Sequence, residues 1–141
     1  YGLEAGKYRL ALKTPKDQII NVEYTRDKSK KKAAYKKSKA IHLKSDIDSI
    51  YTSTEKAARW YKVSVSSTKK RKAVTLSKDS VGGGFKFCVY QKGKRLKTVK
   101  VTKNDKVKTV KLPKKKGAYY VKVTKLTSKT TGAYYLGTYT Y

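Results

Sequence analysis

Apolar and polar residues alternate with a period of two along most of this chain, the spacing of a half-buried β-strand. In Arg59-Trp60-Tyr61-Lys62-Val63-Ser64-Val65, Tyr61, Val63 and Val65 share one face, and Trp60, Lys62 and Ser64 share the other. Phe85 to Tyr90, Leu96 to Val101, Lys106 to Leu112, Tyr119 to Thr124 and Tyr134 to Tyr141 read as further strands, with Lys39 to Leu43 and Ala73 to Leu76 as shorter ones. No apolar repeat of 3.6 residues persists beyond a turn or two, so the pattern predicts an all-β chain. Gln91-Lys92-Gly93-Lys94 is predicted to be a tight turn. Lys103-Asn104-Asp105 is predicted to close a hairpin between 96–101 and 106–112, and Gly82-Gly83-Gly84 reads as a flexible loop. Asp46 to Ala58 reads as irregular, with a helical turn starting near Ser53-Thr54-Glu55-Lys56. About eight short strands with turns every 8–12 residues predict a β-sandwich or barrel of antiparallel sheets, each wet on one face.

The N-terminal end repeats the C-terminal one. Gly117-Ala118-Tyr119-Tyr120-Val121-Lys122-Val123 has a degraded copy in Gly6-Lys7-Tyr8-Arg9-Leu10-Ala11-Leu12. Self-similarity at a fixed spacing points to an array of like modules. Residues 1–25 then form a hairpin, with Tyr8 to Leu12 and Ile19 to Tyr24 as arms and a turn around Thr14-Pro15-Lys16-Asp17. That hairpin is either the end of a preceding repeat or a pair of extra strands on the main unit. Residues 26–38 are a basic linker, and 39–141 are the sandwich proper. The chain begins at Tyr and contains no Met, which reads as a piece of a longer protein. Its lack of a signal peptide therefore excludes nothing, and its apolar runs are too short to span a bilayer as helices.

Charge changes the picture of partners. Lys+Arg number 37 against 9 Asp+Glu, a formal net charge of +28, yet only Arg9, Arg26, Arg59, Arg71 and Arg95 are arginines. Arginine suits bidentate recognition of bases and phosphates, whereas lysine is a solvated point charge. The lysines also alternate with apolar residues, as in Val99-Lys100-Val101, which places them on outer strand faces and edges. Specific nucleic-acid recognition is not expected; salt-sensitive attraction to anionic surfaces is. The 13 Tyr, against 2 Phe and 1 Trp, suit half-exposed sheet faces with an apolar body and a polar tip.

The residues offer little chemistry for catalysis. His42 is the only histidine, and its parity puts it opposite Ile41 and Leu43, on a solvated face. Cys88 is alone, so it makes no internal disulfide, and it reads as a small half-buried strand residue. No Ser-His-acid or Cys-His set can be assembled, and one His with one Cys makes no zinc site. The glycine run lacks the Lys-Ser/Thr of a phosphate loop and precedes a strand, where such a loop precedes a helix. No cofactor and no metal are expected. Binding has better support. Trp60, Tyr90, Tyr120, Lys122, Tyr135 and Tyr139 are candidate ligand-binding residues, as outward aromatics on neighbouring strands with lysine beside them.

Three stretches resemble the bacterial pre-peptidase C-terminal domain. Arg59 to Val65 is similar to the family's aspartate-Trp-Tyr-Lys-Phe strand, with Arg59 in the place of the acid. Phe87 to Gly93 is similar to its strand ending in a Gly turn. Leu112 to Val123, followed by Gly132-Ala133-Tyr134-Tyr135-Leu136, is similar to its closing strands. The resemblance covers roughly residues 39–141. It implies a jelly-roll-like β-sandwich, secretion or cell-surface attachment, and a non-catalytic role. Relatives bind calcium through acidic residues or collagen through a Tyr-rich face. Here Asp46 and Asp48 are the only close acid pair, beside Lys44, so calcium is not expected. The lysine-rich variant resembles repeats of Gram-positive, clostridial-type surface proteins. That implies a binding repeat for a host protein, with immunoglobulin as the specific partner to test. The alternatives are a carbohydrate- or collagen-binding module, or a structural spacer.

Overall fold

The computed structural model describes residues 9, 11, 13, 34–44, 48–51, 58–79, 84–127, 130 and 133–141, with the backbone alone at 48–51, 79 and 133. The predicted hairpin over 1–25, the start of the linker at 26–33 and the helical turn near Ser53 lie outside the described residues, apart from isolated positions. Among those described, nine strands follow a short 3-10 helix, Lys37–Lys39. They are β1 (Ile41–His42), β2 (Asp48–Tyr51), β3 (Arg59–Val65), β4 (Lys72–Asp79), β5 (Phe85–Gln91), β6 (Lys94–Val101), β7 (Val107–Lys111), β8 (Gly117–Lys125) and β9 (Ala133–Thr140). They form a five-stranded sheet, β1-β3-β8-β5-β6, and a four-stranded sheet, β2-β9-β4-β7. No helix among the described residues is long and apolar enough to cross a membrane.

The alternation read from the sequence sets the packing. Arg59, Tyr61, Val63 and Val65 are buried in β3, and Tyr119, Val121 and Val123 are buried in β8, with half-buried residues between them. Phe85, Phe87 and Val89 complete this layer, which meets Val74, Leu76, Val110, Tyr134 and Leu136 of the other sheet in one core. Burying a Val, Leu or Phe side chain in this way stabilises by about 1.5–3 kcal/mol each. The tight turn after β5 has φ of 47° at Lys92 and 79° at Gly93. Positive φ at both central residues is the backbone of a type I′ hairpin, whose twist matches that of the flanking strands. Tyr119 ties down the 113–116 loop, its hydroxyl donating to the carbonyls of Lys115 (3.0 Å) and Pro113 (3.3 Å).

Three expectations are corrected. Residues 48–51 are not irregular: β2 pairs antiparallel with β9, Asp48 opposite Leu136 and Tyr51 opposite Ala133. The sheets are not wholly antiparallel, since β1 runs parallel to β3, with Ile41 opposite Tyr61. Strands 96–101 and 106–112 do not form a hairpin. β6 pairs with β5, and β7 pairs with β4 in the other sheet. The turn between them carries the chain across the sandwich. Asp105 accepts from Thr102 N (2.9 Å) and Thr102 Oγ1 (2.7 Å), and its other oxygen pairs with Lys108 Nζ (2.7 Å).

Lys108, then the Thr102 bonds, hold the Asp105 carboxyl well below the usual carboxylate range. Its stabilising contribution is therefore complete above the ordinary value near 4 and is lost as pH falls toward the lower folded value. Asp105→Asn is expected to lower the melting temperature at pH 7 and to flatten its decline below pH 4. Melting curves of both proteins at pH 7 and pH 3 check this; coincident curves at pH 7 would show that Asp105 does not fasten the turn.

Candidate functional site

The outer face of the five-stranded sheet is built by the polar parity of its strands, yet its centre is aromatic. Trp60 of β3 stands opposite Lys122 of β8, and Lys62 opposite Tyr120. On the other side of β8, Tyr120 stands opposite Tyr90 of β5, and Lys122 opposite Cys88. The Trp60 and Tyr90 rings reach over β8 and meet at 5.6 Å between centroids, tilted by 44°. Such tilted pairs are worth about 0.5–1.5 kcal/mol beyond their buried area. Two ammonium groups flank the rings. Lys122 Nζ lies 5.6 Å from the Trp60 ring, and Lys37 Nζ, from the 3-10 helix, lies 4.7 Å from the Tyr120 ring. Each cation–π contact holds a charge over an aromatic face that is still open to solvent. Trp60, Tyr90, Tyr120, Lys122 and Lys37 are all half-buried.

Four of the six predicted residues, Trp60, Tyr90, Tyr120 and Lys122, are thus brought together. Tyr135 and Tyr139 are not. They lie on the outer face of the four-stranded sheet, on the far side of the sandwich. There Tyr139 stands opposite Ala73, Gly137 opposite Thr75, and Tyr135 opposite Ser77. Small residues stand between the two tyrosines, and beside them Thr75 and Thr109 share a hydroxyl bond of 3.0 Å. Tyr141 continues this row. Its ring lies 5.8 Å from that of Tyr139, with Lys111 Nζ 5.2 Å above it.

Sequence reasoning missed Lys37, which stands in a basic stretch where nothing marks one lysine above its neighbours. His42 is exposed on β1 as expected. Cys88 is more buried than expected, at 6 % exposure, with Sγ 3.4 Å from Thr98 Oγ1. Burial, then the neighbouring Cys88, raises the Tyr90 hydroxyl above its ordinary value, so Tyr90 is neutral at physiological pH. Among the described residues no group of three His, Cys, Asp or Glu side chains is placed to hold a metal ion. The site presents aromatic surface with a cationic rim, and its groups suit contact with another molecule.

No protein-family profile matches the chain, and no curated protein matches it. Among solved structures, the pre-peptidase C-terminal domain of a collagenase from Bacillus anthracis is similar, with a TM-score of 0.51 and 19 % sequence identity. The match covers 70 % of this chain and 91 % of that one. The chain therefore has the all-β sandwich fold of a pre-peptidase C-terminal domain.

Proposed function

We propose that this chain is a non-catalytic binding domain of a secreted or surface-attached bacterial protein, and that the Trp60 face takes a host protein. One observation carries the reading. A sheet face whose parity calls for polar residues instead holds a Trp–Tyr pair in contact, with Tyr120 beside it and lysines on both flanks. Trp and Tyr dominate binding energetics at protein interfaces, and a charged rim adds specificity and on-rate more than affinity. That the similar structure belongs to a bacterial collagenase supports a place outside the cell. Immunoglobulin is the first host protein to test.

The test is capture from serum by the chain, washed at high salt. Retention of one host protein is expected. Trp60→Ala and Tyr120→Ala are each expected to weaken it by about 30-fold, the factor for a hot spot of about 2 kcal/mol. Half-buried surface positions should leave the melting temperature within a few degrees of the parent's. Release of every acidic serum protein together at high salt would show that charge alone binds, and would favour a spacer role. A second reading rests on the opposite face, where Tyr135, Tyr139 and Tyr141 line one row along β9 with Gly137 between the first two. That face suits collagen or a glycan, and Tyr139→Ala, silent for a ligand of the Trp60 face, distinguishes the two.

A further inference from the structure

Among the described residues the sandwich is open along one side. β6 ends the five-stranded sheet and β7 ends the four-stranded one, and the turn at Thr102–Asp105 joins them on that side. Between the two edges lies a cavity of about 330 Å³. Its apolar lining comes from Val89, Leu96 and Val99 of one sheet, from Val110 of the other and from Leu112 just after β7. Lys97 and Lys111 also border it.

Local sequence explains the opening. Val101 and Val99 of β6 face inward opposite Phe85 and Phe87, and the next inward position, opposite Val89, is Lys97. A lysine at an inward parity cannot close a core, because its ammonium must reach water. The pairing then shifts. Val89 stands opposite Lys97 but Tyr90 stands opposite Arg95, so Leu96 is an extra residue on β6. Such a bulge re-aims a side chain, and Leu96 borders the cavity while remaining 43 % exposed. Six of the eight β6 residues are exposed, Lys94, Arg95, Lys97 and Lys100 among them.

Among the described residues no strand pairs with the outer side of β6, and an edge strand with a free backbone ladder is a template for a further strand. The lysines decide which strand. A second copy of this edge would set lysine against lysine, and like charges directly opposite destabilise a strand pair. Among the described residues the acid beside this edge, Asp105, is already paired with Lys108 at 2.7 Å. We infer that the β6 edge receives an extended acidic segment of another protein, which adds a strand to the five-stranded sheet. One large apolar side chain of that segment enters the cavity on the inner face, and carboxylates on alternate residues meet Arg95 and Lys100 on the outer face. The same charges exclude pairing between copies of this chain and admit an acidic partner. The edge borders the Trp60 face, with Arg95 opposite Tyr90, but the inference does not depend on the reading of that face.

The probe is a short synthetic peptide alternating glutamate with valine around a central leucine, titrated into the whole chain and followed by NMR amide shifts and calorimetry. Shifts confined to β6 and the cavity are expected. Affinity is expected to fall at least about tenfold with Lys100→Glu, an exposed position on the outer face whose change spares the core. A backbone N-methylated peptide keeps the charge but loses the ladder bonds. It tests the idea on the unaltered protein, and should not bind. Equal binding of the methylated peptide, equal binding of a lysine version, shifts spread over all basic positions, or no binding would each overturn the inference.

Discussion

Gly84→Ala is expected to destabilise the sandwich by about 3 kcal/mol or more, a drop of roughly 10 °C in melting temperature. A Cβ built on Gly84 would sit 2.0 Å from the carbonyl oxygen of Val101 and 3.0 Å from the Thr102 Cα. Both are backbone atoms, so no side chain can swing aside. Gly84 cannot move away either. Its carbonyl accepts from Leu126 N (2.8 Å) and Thr130 Oγ1 (2.9 Å), and its N–H donates back to Thr130 Oγ1 (3.2 Å). Thr130 is fully buried and also accepts from Thr127 N at 3.3 Å. The residue is thus clamped on one side and in contact with backbone on the other. Gly93→Ala is the control. At φ +79° it has nothing within 4 Å, so only the left-handed backbone is strained, at about 1–2 kcal/mol. Urea unfolding of both variants checks the account. If Gly84→Ala is no worse than Gly93→Ala, close backbone packing is not what fixes a glycine at position 84.

Gly84 also shows where sequence reasoning stops. A run of three glycines reads as a flexible loop, yet its last member is a packing point set by Thr130, 46 positions away. Glycine marks both freedom and close approach, and only tertiary contacts separate the two. Parity was legible in β3, β8 and β9. Tyr61, Val63, Tyr119, Val121, Tyr134 and Leu136 are buried, and their neighbours Trp60, Lys62, Tyr120, Lys122 and Tyr135 are not. Alternation encodes the face of a strand but not the sheet it joins. β6 and β7 therefore read as a hairpin, although Asp105 turns the chain from one sheet into the other. For the same reason the six candidate residues could be assigned outward faces but not a common one. The meeting of Trp60 with Tyr90 depends on β8 lying between β3 and β5, a pairing of strands far apart in sequence. β2 was hidden because Asp48-Ser49-Ile50-Tyr51 carries a weak pattern of its own; the ladder offered by β9 makes it a strand.

Raising the pH above 10 is expected to weaken the fold, with Tyr134 as a principal cause. Tyr134 is fully buried, with the Phe85 ring 4.9 Å away edge-on and the Tyr61 ring at 6.5 Å and 86°. Its hydroxyl lies 2.6 Å from that of Tyr61. Burial, then the Tyr61 hydroxyl, raises Tyr134 well above its ordinary value, and Arg59, which bonds to it, offsets only part of that. The folded chain therefore holds Tyr134 neutral at a pH where the unfolded chain ionises it. Its contribution is complete below pH 10 and is lost as pH rises from 10 toward the folded value, at up to about 1.4 kcal/mol per pH unit. Lysines titrate in the same range, so the parent alone cannot isolate the tyrosine, but a comparison with Tyr134→Phe can. At pH 7 the variant should be less stable by about 1–3 kcal/mol, because the Tyr61 hydroxyl and Arg59 lose a buried partner. Above pH 10 that gap should narrow, since the variant has no phenol to keep neutral while the lysines change alike in both. Denaturant midpoints from pH 8 to pH 12 decide the matter. Curves that stay parallel would mean that Tyr134 ionises in the folded chain as readily as in the unfolded one, and that the Tyr61–Tyr134–Arg59 set is open to water.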